Sequence, residues 1–123
     1  MKTKTKIWGM TTEIAKHPVF SVHYIQVMPH TFCSVHRHAH RVNLFYVLSG
    51  ELIVRMWSAA DGVRDVQLRV GDTLEVPAGV YHQFRCVTGA DVIEIYYPIL
   101  PNDDDIERIS EGGTFAQEKG VTT

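Results

Sequence analysis

Seven histidines stand out in a chain of 123 residues, and three of them, His36, His38 and His40, fall within five positions. Successive side chains on an extended strand point to opposite faces, so these three would share one face. Imidazoles at i and i+2 are placed to grip one metal ion from the interior of a β-structure, with a further ligand supplied from elsewhere. His82 is the candidate for that ligand. It stands three residues beyond the Pro77-Ala78-Gly79 turn, which aims the following strand inward.

The elements that must position these side chains read as strands. Runs of four to eight β-favouring residues recur, each closed by a turn signal. Phe20 to Met28 ends at Pro29, Val42 to Leu48 at Ser49-Gly50, and Glu51 to Trp57 leads to Asp61-Gly62. Val63 to Val70, Thr73 to Val76, His82 to Val87 and Asp91 to Tyr97 follow, separated by Gly71-Asp72, Pro77-Ala78-Gly79 and Thr88-Gly89. This rhythm predicts an all-β sandwich or barrel rather than alternating β/α units. Near the end, Asn102-Asp-Asp-Asp-Ile-Glu-Arg-Ile109 predicts one short helical turn capped by Asn and Asp and stopped by Gly112-Gly113. We expect a single domain over residues 1–113 and a mobile tail over 114–123, which carries little that could pack.

Composition limits the functions available. Apolar residues are 45% and charged residues 21%, which fits an ordinary globular domain and neither disorder nor a membrane protein. A net charge of -2 gives no general attraction to phosphate backbones or anionic lipid, so neither nucleic acid nor a membrane is an expected partner. The basic start has no apolar run behind it, and we expect a cytoplasmic protein with Cys33 and Cys86 as reduced thiols. Strand alternation from His82 through Phe84 places Cys86 on the same interior face, as a pocket-lining thiol.

Written out, the spacing is His36-x-His38-x4-Asn43-x6-Gly50, then Gly71-x5-Pro77-x-Gly79-x2-His82. This two-part pattern resembles the two motifs of the cupin superfamily, with Asn43 where the family usually carries Glu and Cys86 where it usually carries Asn. The resemblance implies a cupin double-stranded β-helix, a jelly-roll barrel. It also implies one divalent metal ion (Mn, Fe, Zn, Co or Ni) held by His36, His38 and His82, with Asn43 at the carboxylate position. A carboxamide oxygen binds a divalent ion more weakly than a carboxylate, so a three-histidine centre results. A narrower likeness links Lys6-Ile7-Trp8-Gly9 and Asp104-Asp105-Ile106-Glu107-Arg108 to the ends of type II phosphomannose isomerase cupin domains. It implies a sugar-like ligand.

Three functional readings stay open on the sequence. The first is a metal-dependent aldose-ketose isomerase, with His40 and Glu94 as the candidate proton-transfer groups. The second is a three-histidine iron(II) dioxygenase, and the third is a non-catalytic metabolite-binding module. Other assignments are structural: His17, His23 and His30 lack partner spacing, and Asp103 to Asp105 read as a solvated helix cap. Phe45, Val47, Phe84, Ile93, Ile95, Trp57 and Tyr97 read as core or interface. The first long strand is apolar on both faces, so a homodimer is expected, with Trp8, Ile7 and Met10 closing one barrel end or touching a partner.

Overall fold

Threonine, valine, isoleucine and aromatic residues recur at period two through most of this chain, and the backbone follows them into strands. The computed structural model describes residues 2–98 and 105–121. Among them lie β1 (Lys2–Lys6), β2 (Gly9–Lys16), β3 (Ser21–Val27), β4 (Thr31–Phe32), β5 (His36–Arg37), β6 (Val42–Gly50) and β7 (Leu52–Ser58). Then come β8 (Gly62–Leu68), β9 (Thr73–Val76), β10 (Tyr81–Cys86), β11 (Ala90–Tyr97), β12 (Glu107–Arg108), β13 (Gly113–Thr114) and a helix α1 (Phe115–Val121).

Two antiparallel sheets result. The first has the order β1-β2-β3-β11-β6-β9. In the second, β10 pairs with β7 and also with the short strands β4 and β5, while β8, β12 and β13 extend it outward. Non-consecutive neighbours such as β3-β11-β6 give the jelly-roll connectivity expected of an all-β barrel. Alternation is clean where it matters: Leu52, Val54 and Met56 of β7 are buried, and their neighbours Ile53, Arg55 and Trp57 are half-exposed. Ile25, Phe45, Val47 and Val92 of the first sheet meet Leu52, Val54, Phe84 and Cys86 of the second in one core. Phe45 and Phe84 cross edge-on with centroids 6.3 Å apart, and Trp8 meets Phe84 the same way at 4.8 Å.

Gly50 closes the first histidine motif for a steric reason. Its φ is 73°, and a Cβ there would lie 2.0 Å from the Gly89 carbonyl oxygen. Only glycine fits.

Several expectations change. Lys2–Lys6 and Gly9–Lys16 form a hairpin that the apolar runs did not reveal, because its strands are largely polar. The helical turn expected before Gly112 is absent from its described part. Residues 107 and 108 pair with β5 as a strand, and residues 102–104 lie outside the described residues. Helix follows the glycines instead, at Phe115–Val121. The segment from Thr114, expected to be a mobile tail that carries little that could pack, stacks Phe115 on Phe32 and pairs Glu118 with Arg85 through two hydrogen bonds. Residues 122 and 123 lie outside the described residues. Of the aromatic and aliphatic set above, Phe45, Val47 and Phe84 are core, whereas Ile93, Ile95, Trp57 and Tyr97 are half-buried.

Candidate metal centre

Strand register brings the histidines together. In the second sheet His36 pairs directly with His82 on one side and with Arg108 on the other. The His36 and His82 rings stand 4.5 Å apart, and His38 lies 5.2 Å from the first and 5.7 Å from the second. One ligand atom from each of the three lies within 4.8 Å of the others. All three residues are buried, with exposures of 8%, 3% and 1% for His36, His38 and His82.

Each ring is oriented by the same device. The Nδ1 of His36 contacts the Ser34 carbonyl at 2.8 Å, that of His38 the Asp105 carbonyl at 2.7 Å, and that of His82 the Val80 carbonyl at 3.0 Å. A carbonyl oxygen only accepts, so Nδ1 carries the proton in each ring and Nε2 presents its lone pair. Nε2 of His38 is buried with no hydrogen-bond partner. Burial pushes the imidazolium form out: His36 is lowered to about 3, by desolvation first and then by its two histidine neighbours. His38 is lowered to about 4, mainly by desolvation, and His82 is lowered for the same reason. Three neutral imidazoles that present Nε2, with that of His82 also 3.5 Å from Asn43 Nδ2, form a donor set that suits a divalent metal ion.

The two motifs also clamp each other. Gly79, at φ 83°, donates its N–H to the His38 carbonyl at 2.7 Å, so the turn before His82 holds the loop that carries His38. Asp105 completes the clamp. Its carboxylate accepts from the backbone N–H groups of Ala39 and His40, each at 2.9 Å, and lies beside Arg41. Burial would raise the Asp105 pKa, but these donors and Arg41 hold it below the usual range. Asp105 is therefore a fastener of the histidine loop, not the solvated helix cap expected from the sequence.

Asn43 is buried beside the cluster, in the position the motif assigns it. Its Nδ2 lies 3.5 Å from His82 Nε2 and donates to Glu94 Oε2 at 3.3 Å, while its Oδ1 has no partner. Glu94 is also buried, and desolvation raises its pKa against the opposing pull of Asn43, Tyr96, Arg41 and Lys6. His40 is not brought to the site: it is exposed, and its backbone N–H, not its ring, is what Asp105 binds. The shared face predicted for His36, His38 and His40 ends at His38 because β5 is only two residues long.

A cavity of about 390 Å³ opens beside the cluster, with His36, Glu94, Tyr96, Cys33, His23 and Phe84 among its walls. Cys33, not Cys86, is the thiol that lines it. Cys86 is fully buried in the core, where its Sγ donates to the Glu51 carbonyl at 3.3 Å. Burial pushes the Cys33 thiol far up, which disfavours its thiolate. Sequence reasoning missed Ser34, Tyr96 and the role of Asp105. Only Asp105 had a sequence signal, as part of the acidic end element.

The cupin domain family matches residues 23–96, more than half of the chain. The protein is a cupin. Its matched segment runs from β3 to β11 and so contains all three clustered histidines. No curated protein matches this cupin in sequence. Among solved structures it is similar to a point mutant of oxalate decarboxylase from Bacillus subtilis, with 13% identity and a TM-score of 0.78. The same enzyme at pH 4.6 gives a TM-score of 0.76, and a structure concerned with its Mn(II) centres gives 0.77, both at 13% identity. In each case 88% of this cupin is covered but only 30% of the oxalate decarboxylase chain. Such similarity establishes the shared jelly-roll fold.

Proposed function

We propose that this cupin holds one divalent metal ion through Nε2 of His36, His38 and His82 and uses it on a small polar molecule in the adjoining cavity. The observation that carries this reading is the common pattern of the rings, each with Nδ1 committed to a backbone carbonyl and each kept neutral. Nitrogen donors without a carboxylate suit Fe, Zn, Co or Ni, and Mn when oxygen ligands such as water complete the set. The Mn(II) centres of the Bacillus subtilis enzyme fall within that range. Bound there, the ion supplies Lewis acidity toward a ligand oxygen.

The chain's own groups supply proton chemistry. Glu94 stands in the cavity wall, and burial, by raising its pKa, makes its ionised carboxylate a stronger base, placed to take a proton from one carbon of a bound molecule and return it to the next. Asn43 and Tyr96 hold that carboxyl in place, and Trp8 and Phe84 provide apolar wall that limits water. Aldose-ketose isomerisation needs this proton transfer between adjacent carbons, so it is the enzymatic reading these groups support best. The likeness of the end elements to type II phosphomannose isomerase domains supports a sugar-like ligand.

We also propose a homodimer through the outer face of the first sheet, where Met10, Ile14, Tyr46 and Leu48 are exposed. Two buried free thiols fit a reducing compartment such as the cytoplasm. Among the described residues no helix is long and apolar enough to cross a membrane.

Calorimetric titration with Mn(II) or Zn(II) tests the centre. Wild type should bind one equivalent and His38→Ala should lose most of the affinity; equal binding by the two overturns the assignment. Incubation of the loaded protein with a panel of aldoses and aldose phosphates tests the isomerase reading. Ketose should form with wild type and not with Glu94→Gln.

A further inference from the structure

The first strand reads Lys2-Thr3-Lys4-Thr5-Lys6, and period-two alternation puts its three lysines on one face. That face is the inner one. Across the first sheet Lys2 pairs with Glu13, Glu13 with His23 and His23 with Glu94, so the lysine face continues into the cavity wall beside the histidines. Lys2, Lys4 and Lys6 all line the cavity that His36 and Glu94 also line, and Arg108 joins them from the second sheet. None of these four cations forms an ion pair among the described residues. Three carboxylates, Glu13, Glu94 and Glu111, share the wall. Four cations against three carboxylates, in a chain of net charge -2, make this a local excess of positive charge, with the three lysines side by side on one strand.

We propose that the cavity mouth is an anion-binding site, in which Lys2, Lys4, Lys6 and Arg108 hold an oxyanion of the ligand while its other polar end faces the histidine cluster. This deepens the metal-centre reading and rests on it for the inner half of the ligand. A cleft lined with cations over low-dielectric walls concentrates anions and speeds their entry. A volume of about 390 Å³ is at the small end of ligand pockets and admits a metabolite of a few carbons with one charged end group. Carboxylate and phosphate ester share the required chemistry.

Calorimetry with succinate, glucose 6-phosphate and glucose tests the site on wild type, Lys4→Gln/Lys6→Gln and the control Arg64→Gln, whose arginine lies on exposed β8. The anions should bind, glucose should bind more weakly, and the double variant should lose roughly tenfold in anion affinity. Arg64→Gln should match wild type. Anion binding should weaken as salt rises from about 0.05 to about 0.5 M. The tighter of the two anions identifies a carboxylate or a phosphate ester as the natural charged group. Glucose binding as tightly as glucose 6-phosphate, or anion affinity unchanged in the double variant, overturns the proposal. Mn(II) titration separates the two readings: a double variant that keeps Mn(II) but loses anions assigns the loss to the mouth. A wild type that binds no Mn(II), yet binds anions through these lysines, overturns the metal centre and leaves the anion site standing.

Discussion

His38 is held from behind by Asp105, whose backbone carbonyl accepts its Nδ1–H at 2.7 Å although the two are 67 residues apart. The same aspartate fastens the next two residues through its carboxylate. One residue thus sets the tautomer of a candidate ligand and the path of the loop that carries it.

Replacing Asp105 with Ala keeps the carbonyl but frees the loop. Metal affinity should fall by about 10- to 100-fold, the usual range for groups that orient a ligand. Calorimetry against wild type measures it. An unchanged affinity would mean that the carbonyl alone orients His38.

Asn43 sits between His82 and Glu94. Asn43→Glu places a second carboxyl beside a buried one, so the metal-free variant should melt below wild type. With metal added the order should reverse, because an anionic ligand gains more from a divalent ion than an amide does. Asn43→Ala should alter metal affinity little. Thermal melts with and without Zn(II) decide the matter, and a Glu variant with no larger metal-induced shift than wild type would show that position 43 does not face the ion.

The pH dependence of the metal-free protein follows from the buried rings. A histidine whose folded value is depressed takes up its proton first in the unfolded chain, so its contribution is full above pH 6.5 and lost as pH falls toward the folded value. With His36 lowered to about 3 and His38 to about 4, stability should decline from pH 6.5 toward 4. Each uncompensated proton costs about 1.4 kcal/mol per pH unit. Glu94, with its value raised, has the opposite sign and offsets part of the loss. Denaturant melts across this range should show a steeper acid decline for Glu94→Gln than for wild type. A flat profile for both refutes the burial argument.

Phe45 is fully buried, with its ring 6.3 Å from Phe84 and 6.4 Å from His82. Phe45→Ala should cost about 3 to 5 kcal/mol, through lost burial and the cavity left behind. Urea unfolding measures the cost, and a loss below 1 kcal/mol would mean that the site collapses to fill the gap.

The all-β class, seven of the strands and the three clustered histidines were legible in the sequence because each depends on local pattern. Period two places apolar side chains on one face, and Gly50 and Gly79 mark backbone that turns with positive φ. The polar hairpin Lys2–Lys6 and Gly9–Lys16 escaped because an apolar rhythm was the guide, although its Lys-Thr alternation is itself a strand period. His40 parted from its neighbours because β5 stops after Arg37, a length set by pairing with β10 and β12. The tail packed because Phe32 and Arg85, distant in sequence, present a ring and a charge to Phe115 and Glu118. Sequence periodicity determined which side chains share a face. Only the tertiary structure decided which faces meet, because the Asp105 carbonyl behind His38, the Asn43 amide against Glu94 and the lysine strand at the cavity mouth are contacts between segments far apart in the chain.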